Sequence, residues 1–223
     1  MKKNVKRLLS ILCAAILTLG LTGCGQDFDA TNYVKAELDL LTRHDVDQYV
    51  ELMGVDKETA EEIYADIIAD MEISSTILGD SDLPEELFAA YDEWFVSAMA
   101  KTKYTVMEAT ETDDAYTVNV EIEPLKAFDG LDEKVNTKTQ EYMEEITQKV
   151  MNGEEMPSDA EINEAVYTFI LDILNETLET ATYAEKIVVE TKIMKNSDGE
   201  YEIDTASFEE VGEKLFDISG LEL

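Results

Sequence analysis

Residues 116–124 have the sequence YTVNVEIEP, and this stretch decides the fold class. Apolar and polar side chains alternate from Tyr116 to Glu123, which is the two-residue period of a strand with one buried face. Pro124 has no backbone N–H to donate to a neighbouring strand, so the strand ends there. The shorter run from Tyr104 to Ala109 predicts a partner strand, and Asp113-Asp114 is typical of the hairpin turn between them.

A second hairpin is predicted towards the C-terminus. Ile187, Val189, Thr191 and Ile193 recur at the strand period. Residues 196–199 (NSDG) then favour a turn, and Tyr201 with Ile203 begins the returning strand. The two hairpins join most simply into one four-stranded antiparallel sheet with helices on one face.

Outward from these strands, the sequence has the helical period. Asp29, Asp56 and Pro84 mark helix starts in the N-terminal half. The apolar stripe after Asp56 predicts one helix that continues to Leu78. A shorter helix is expected to begin at Asp45, where Gln48 completes a capping-box pattern.

Two long helices are predicted between the hairpins. The first begins near Leu131 and stops at Asn152-Gly153, and the second opens with the capping box Ser158 to Glu161. The second is the most apolar helix after residue 24, so we expect it at the centre of the core. Ser207 with Glu210 predicts the cap of a short final helix. The predicted fold class is therefore α+β, with a helical N-terminal half, a four-stranded antiparallel sheet, two long flanking helices and a short C-terminal helix.

The first residues have the pattern of an export signal. Lys2, Lys3, Lys6 and Arg7 precede an uncharged apolar run from Leu8 to Leu21. The run is shorter than the ~20 residues that a membrane-spanning helix needs.

Leu21-Thr22-Gly23-Cys24 ends this run, and it resembles the lipobox of bacterial lipoproteins at every position. The resemblance implies signal cleavage after Gly23 and a covalent lipid on Cys24, with the protein on the extracellular face of the bacterial cell membrane. The alternative is an ordinary secretory signal with a chance cysteine. The expected organisation is a signal peptide (residues 1–23), a lipidated Cys with a short tether (24–28) and a single acidic α+β domain (29–223).

The chain is strongly acidic. It has 17 basic and 51 acidic residues, and four of the basic ones but none of the acidic ones precede Cys24. Residues 24–223 therefore carry 13 basic and 51 acidic side chains, a formal net charge of −38. Such a surface disfavours nucleic acid and anionic lipid headgroups as partners, whereas cations and basic proteins remain possible.

Few residues are candidates for catalysis. His44 is the single histidine, and it follows a predicted helix end where a capping role suits a cation. Cys13 leaves with the signal and Cys24 takes the lipid, so neither Cys–His catalysis nor a His-rich zinc site is expected. Carboxylates are so abundant that pairs of them do not identify a catalytic site. We therefore predict no catalytic residue, no metal-ligating residue and no cofactor beyond the lipid, with weak divalent-cation binding left open.

Three residues are weak candidates for a ligand site. Trp94 would offer a platform for a sugar or peptide if it were exposed, although core packing is the favoured alternative. Asp80 and Asp82 are close enough in sequence to hold an ion weakly, and helix capping is the simpler explanation for them.

Several short motifs are similar to a group of uncharacterised lipoproteins from Gram-positive, largely anaerobic bacteria. They span roughly the first half of the chain after Cys24: Phe28-Asp29-Ala30, Tyr33-Val34, Leu38-Asp39, residues 49–54, 103–106, 115–118 and 121–124. The resemblance implies the same compartment and fold, and it supplies no mechanism.

The sequence thus predicts a membrane-anchored, non-enzymatic binding module at the cell envelope, with an unidentified protein, peptide or glycan as ligand. Two alternatives remain open. One is a hydrolase that acts on envelope material through carboxylates, and the other is a cation-dependent structural protein.

Overall fold

The computed structural model describes Lys3 and residues 28–79, 82–112, 115–197 and 199–221. In chain order the helices and strands are α1 (Ala30–Arg43), α2 (Val46–Met53), α3 (Lys57–Asp70), α4 (Ile73–Leu78), α5 (Glu85–Met99), β1 (Lys103–Val106), β2 (Thr110–Thr112), β3 (Ala115–Glu123), α6 (Leu131–Met151), α7 (Asp159–Glu179), β4 (Ile187–Lys195), β5 (Tyr201–Ile203) and α8 (Thr205–Lys214). The α+β prediction is confirmed.

The strands form one antiparallel sheet in the order β1-β3-β4-β5, and β2 also pairs with β3. The two hairpins join through β3 and β4, whose register runs from Ala115 opposite Met194 to Ile122 opposite Ile187. The strand predicted from Tyr104 to Ala109 is shorter than predicted, and a separate strand, β2, follows the predicted range. β1 ends at Val106, and the backbone N–H of Ala109 turns away to the Thr31 hydroxyl of α1 at 2.9 Å before β2 begins.

One face of the sheet is buried and the other is open to solvent, as the alternation in residues 116–123 predicts. The inward-facing side chains are almost fully buried: Val118, Val120, Ile122, Val189, Thr191, Ile193 and Ile203. Helices α1 and α8 pack on this inner face, and α5 packs on α1. On the opposite face Val188 and Met194 are 58% and 49% exposed.

Two helix predictions need correction. The helix after Asp56 does not continue to Leu78, because the chain breaks at Glu72, which has a left-handed φ of 43°. A second short helix, α4, begins there, and Asp92 of α5 accepts the backbone N–H of Ser74 at 2.9 Å. This contact satisfies an N–H group in the first turn of α4, a role that no pattern within residues 56–78 could reveal.

The other correction concerns caps. Helix α2 begins after Asp45 as predicted, but Gln48 forms no capping box and instead accepts from Lys35 at 2.8 Å. Helix α8 begins at Thr205, two residues before the predicted cap, since Asp204 accepts the backbone N–H of Ser207 at 2.9 Å. In contrast, the caps at Asp29, Asp56 and Ser158 are formed as predicted.

The most buried helix is α1 rather than α7. In α1 the buried residues are Ala30, Tyr33, Val34, Ala36, Glu37, Leu38, Asp39, Leu40, Leu41 and Thr42. In α7 burial is confined to the C-terminal half, from Ile170 to Leu178. The prediction that α7 lies at the centre of the core is therefore wrong for its first half, which has no fully buried residue before Ile170.

Candidate functional site

The residues singled out by the sequence do not meet at one site. Trp94 is 3% exposed and lies in the core, so it offers no platform to a ligand and the core alternative holds. Its neighbour Phe95 is 2% exposed and also lies in the core. Trp94 contacts Phe128, whereas Phe95 contacts Phe216. Asp82 is exposed in the segment before α5. Asp80, Gly23, Cys24 and the turn Asp113-Asp114 lie outside the described residues.

His44 is part of the surface. It caps α1 in a left-handed conformation (φ 54°), and its Nε2 lies 2.6 Å from the Glu61 carboxylate. Its ring also stacks on Tyr64 with centroids 3.9 Å apart. Within the described ranges, no group of three or more His, Cys, Asp or Glu side chains is arranged to hold a metal ion.

Sequence reasoning missed two buried acidic residues on α1. Asp39 is 2% exposed and accepts from Lys35, from Arg43 Nη1 at 2.5 Å and from the Tyr104 hydroxyl at 2.5 Å. Burial, reinforced by this hydrogen bond to Asp39, raises the pKa of Tyr104. Asp39 is therefore a fully partnered charge that joins α1 to β1.

Glu37 has the opposite surroundings. It is fully buried, and neither carboxylate oxygen has a hydrogen-bond partner among the described residues. Burial raises the pKa of Glu37 well above its ordinary value. The sequence did hold a signal, because Glu37 lies three residues after Val34 and four before Leu41, inside the apolar stripe of α1.

The α6–α7 hairpin is the region whose surface differs most from the rest. Its root lies in the core through Leu131 and Val135 of α6 and the C-terminal half of α7. The Tyr91 hydroxyl of α5 donates to the backbone carbonyl of Tyr167 at 2.8 Å, which ties the middle of α7 to the body.

Beyond this point the two helices pack chiefly on each other. Ile146 is the single buried residue between Asn136 and Phe169, all of which the structure describes. Tyr142 and Phe169 meet edge to face with centroids 5.4 Å apart and close the seam between the helices. The far end of the hairpin therefore projects from the rest of the fold.

We call residues 141–164 the hairpin tip. Its turn is well defined: the Asn152 N–H bonds back to α6, and the Ser158 N–H donates to the Glu161 carboxylate at 2.8 Å. That backbone hydrogen bond lowers the pKa of Glu161, which keeps the carboxylate charged. Satisfied helix ends hold the tip in one conformation.

The hairpin tip exposes large apolar side chains: Met143 (38%), Val150 (40%), Met151 (82%) and Met156 (58%). A shallow hollow of about 500 Å³ follows α6 here, lined by Gln140, Met143, Glu144, Thr147 and Gln148. Single exposed apolar residues are ordinary. Of the seven large apolar side chains that are exposed in the described part of the chain, four lie in the hairpin tip.

A separate cleft of about 570 Å³ lies between Pro124, Ile187 and Phe216. The carboxylates Glu185, Glu213 and Asp217 line it, together with Lys214.

Comparison with known proteins bears on the fold. No protein-family model and no curated protein sequence matches this chain. The fold is similar to the crystal structure of a "putative lipoprotein (ycdA)" from Bacillus subtilis, with a TM-score of 0.58 and 18% sequence identity. The likeness covers 85% of this chain and 56% of that chain, so the present chain spans little more than half of the Bacillus protein. At this identity the likeness shows a common fold.

No helix among the described residues is long and apolar enough to cross a membrane.

Proposed function

We propose that this chain is a lipoprotein of the bacterial cell surface, anchored through Cys24, and that it acts as a non-enzymatic binding module through the hairpin tip. The observation that carries the proposal is the exposure of four large apolar side chains on the hairpin tip: Met143, Val150, Met151 and Met156. A partner that covered them would remove this apolar surface from water.

The anchor is supported by the lipobox pattern of Leu21 to Cys24 and by the name of the Bacillus structure with a similar fold. Phe28, which begins the described range 28–79, packs between Tyr201 (centroids 4.3 Å apart), Tyr116 (5.4 Å) and Tyr33 (5.5 Å). Three residues, 25–27, lie between Cys24 and Phe28, so the Cα atom of Cys24 would lie within ~14 Å of the Cα atom of Phe28.

The binding role is supported by the packing of the hairpin. A helix pair that only had to stabilise the fold would bury its apolar side chains against the body, as the C-terminal half of α7 does. Here Met151 and Met156 face solvent at 82% and 58% exposure. The end of α6 and the start of α7 on either side of the turn have their backbone groups hydrogen-bonded, so these side chains are exposed on an ordered surface.

The anchor is tested by feeding cells a labelled fatty acid. The wild type should incorporate the label and remain with the membrane, whereas Cys24→Ser should do neither. Equal labelling of Cys24→Ser would refute lipidation at this residue.

The binding surface is tested by photocrosslinking in intact cells. A photoreactive residue in place of Met151 should give discrete adducts of defined mass, whereas the same residue in place of Met194 on the open sheet face should give none. Adducts at both positions, or at neither, would contradict the hairpin tip as the binding surface.

A further inference from the structure

We infer that the hairpin tip binds a cationic amphipathic segment of a protein or peptide. This inference rests on the proposed function and specifies its partner. Its basis is the juxtaposition of an exposed methionine-rich strip with a rim of uncompensated carboxylates.

The apolar part has a defined layout. Met143 and Val150 are seven residues apart on α6, which places them on one face about 10 Å apart along the helix. Met151 at the end of α6 and Met156 in the turn are the two most exposed of the four side chains, at 82% and 58%. Three of these four side chains are methionines, which are unbranched and polarisable and adapt to apolar partners of different shape.

The charged part is nearly all of one sign. Residues 141–164 contain eight acidic side chains and one basic one, a net charge of −7: Glu141, Glu144, Glu145, Glu154, Glu155, Asp159, Glu161 and Glu164 against Lys149. Lys149 is already paired with Glu145 at 2.7 Å, and this contact raises the pKa of the lysine. The Debye length at physiological salt is ~8 Å, so a partner that touches the strip lies within the field of these carboxylates.

Other occupants fit this surface less well. A second copy of the chain would bring two tips of charge −7 together, and an anionic bilayer or nucleic acid would be repelled in the same way. Glycan sites commonly present an aromatic platform, whereas the one aromatic side chain of the hairpin tip, Tyr142, packs edge to face on Phe169. A segment with basic residues around apolar ones satisfies both parts of the surface.

The open face of the sheet provides a matched control. Val188 is as exposed as Met156, at 58%, and Met194 is 49% exposed. They lie on one strand with Glu190 and Lys192 between them, a pair of opposite charges 3.7 Å apart. This surface is therefore equally apolar in single residues but neither continuous nor uniformly acidic.

The experiment uses the lipidated protein in nanodiscs of zwitterionic lipid, with empty nanodiscs as the blank. The probe is a synthetic amphipathic helix of Leu and Lys. Two further peptides are a scrambled sequence of the same composition and a Leu–Glu version. Wild type should bind the amphipathic Leu–Lys helix more tightly than the scrambled peptide and should not bind the Leu–Glu peptide.

Two double variants locate the contact without changing any charge. Met151→Ser with Met156→Ser should weaken binding of the Leu–Lys helix by roughly tenfold or more, because two buried side chains are lost. Val188→Ser with Met194→Ser should leave the Kd at the wild-type value. Glu154→Gln with Glu155→Gln should weaken binding and reduce its dependence on salt.

Equal affinity of all variants, or equal binding of the scrambled peptide, would overturn the inference, because attraction by the overall charge would then explain the binding. In that case discrete crosslinks at Met151 would still support the hairpin tip as a binding surface for a partner of different chemistry. Absence of those crosslinks would instead contradict the proposed function itself.

Discussion

Helix α1 and the hairpin tip distribute polar and apolar side chains in opposite ways. In α1 two acidic residues, Glu37 and Asp39, are buried in the body of the protein. In the hairpin tip, methionine and valine side chains are exposed on a projection. Buried charge and clustered exposed apolar surface are both uncommon, and each needs a partner or carries a cost. Asp39 has its partners within the chain, whereas Met151 and Met156 are 82% and 58% exposed.

The largest effect is expected from removing the Asp39 charge. Asp39→Asn should lower the free energy of unfolding by about 2–4 kcal/mol, because Lys35, Arg43 and Tyr104 lose their common acceptor. For a domain of this size this corresponds to a fall in Tm of roughly 5–10 °C. Asp47→Asn is the control, since this side chain is 87% exposed. Equal Tm values for both variants would show that the network does not stabilise the fold.

Substitution of Glu37 is expected to change the free energy of unfolding in the opposite direction. Glu37→Met should raise the free energy of unfolding at pH 7 by about 1–3 kcal/mol, because a carboxyl without partners is replaced by an apolar side chain of similar size. The unfolded chain ionises Glu37 near pH 4.5, whereas the folded chain retains the proton to a much higher pH. The Glu37 contribution to stability therefore falls as the pH rises above about 4.5.

Chemical denaturation of both proteins as a function of pH measures this difference. The gap between wild type and Glu37→Met should shrink as the pH falls from 7 towards about 4.5, and it should stay constant below that pH. Glu37→Gln should remove the pH-dependent part while it keeps the polar group. A gap that is constant between pH 4 and pH 7 would contradict a neutral Glu37 in the folded protein.

A smaller effect is expected at the turn of the hairpin. Ser158→Ala should destabilise the start of α7 by about 1 kcal/mol, because the capping box with Glu161 is lost. Hydrogen exchange should become faster in the first turns of α7 and stay unchanged in α1, since the tip packs chiefly on itself. Uniformly faster exchange would mean that the tip and the core unfold together as one cooperative unit.

The smallest effect is expected from the exposed methionines. Met151→Ser with Met156→Ser should change the free energy of unfolding by less than about 0.5 kcal/mol, because neither side chain is buried in the free protein. Thermal unfolding measures this change, and the same variant serves the binding experiment. A large loss of stability would show that these residues support the fold, and the comparison with α1 would no longer hold.

Local patterns predicted the strands and most helix starts, because alternation at Val118, Val120 and Ile122 and caps such as Asp56 act over a few residues. The Asp92 contact that starts α4 could not be predicted, since it comes from another helix. Likewise, the apolar sequence of α7 is the same whether it packs on the core or on α6. The projection of the hairpin, and with it the candidate site, therefore depends on tertiary packing that residue spacing does not encode.

The break between β1 and β2 has a consequence for crowding. The central strands β3 and β4 have nine residues each, whereas the edge strands β1, β2 and β5 have four, three and three. A long uninterrupted edge would let neighbouring molecules continue the sheet from one copy to the next. The interrupted edge at residues 107–109 gives neighbouring molecules only a short ladder to join, which opposes polymerisation at high local concentration.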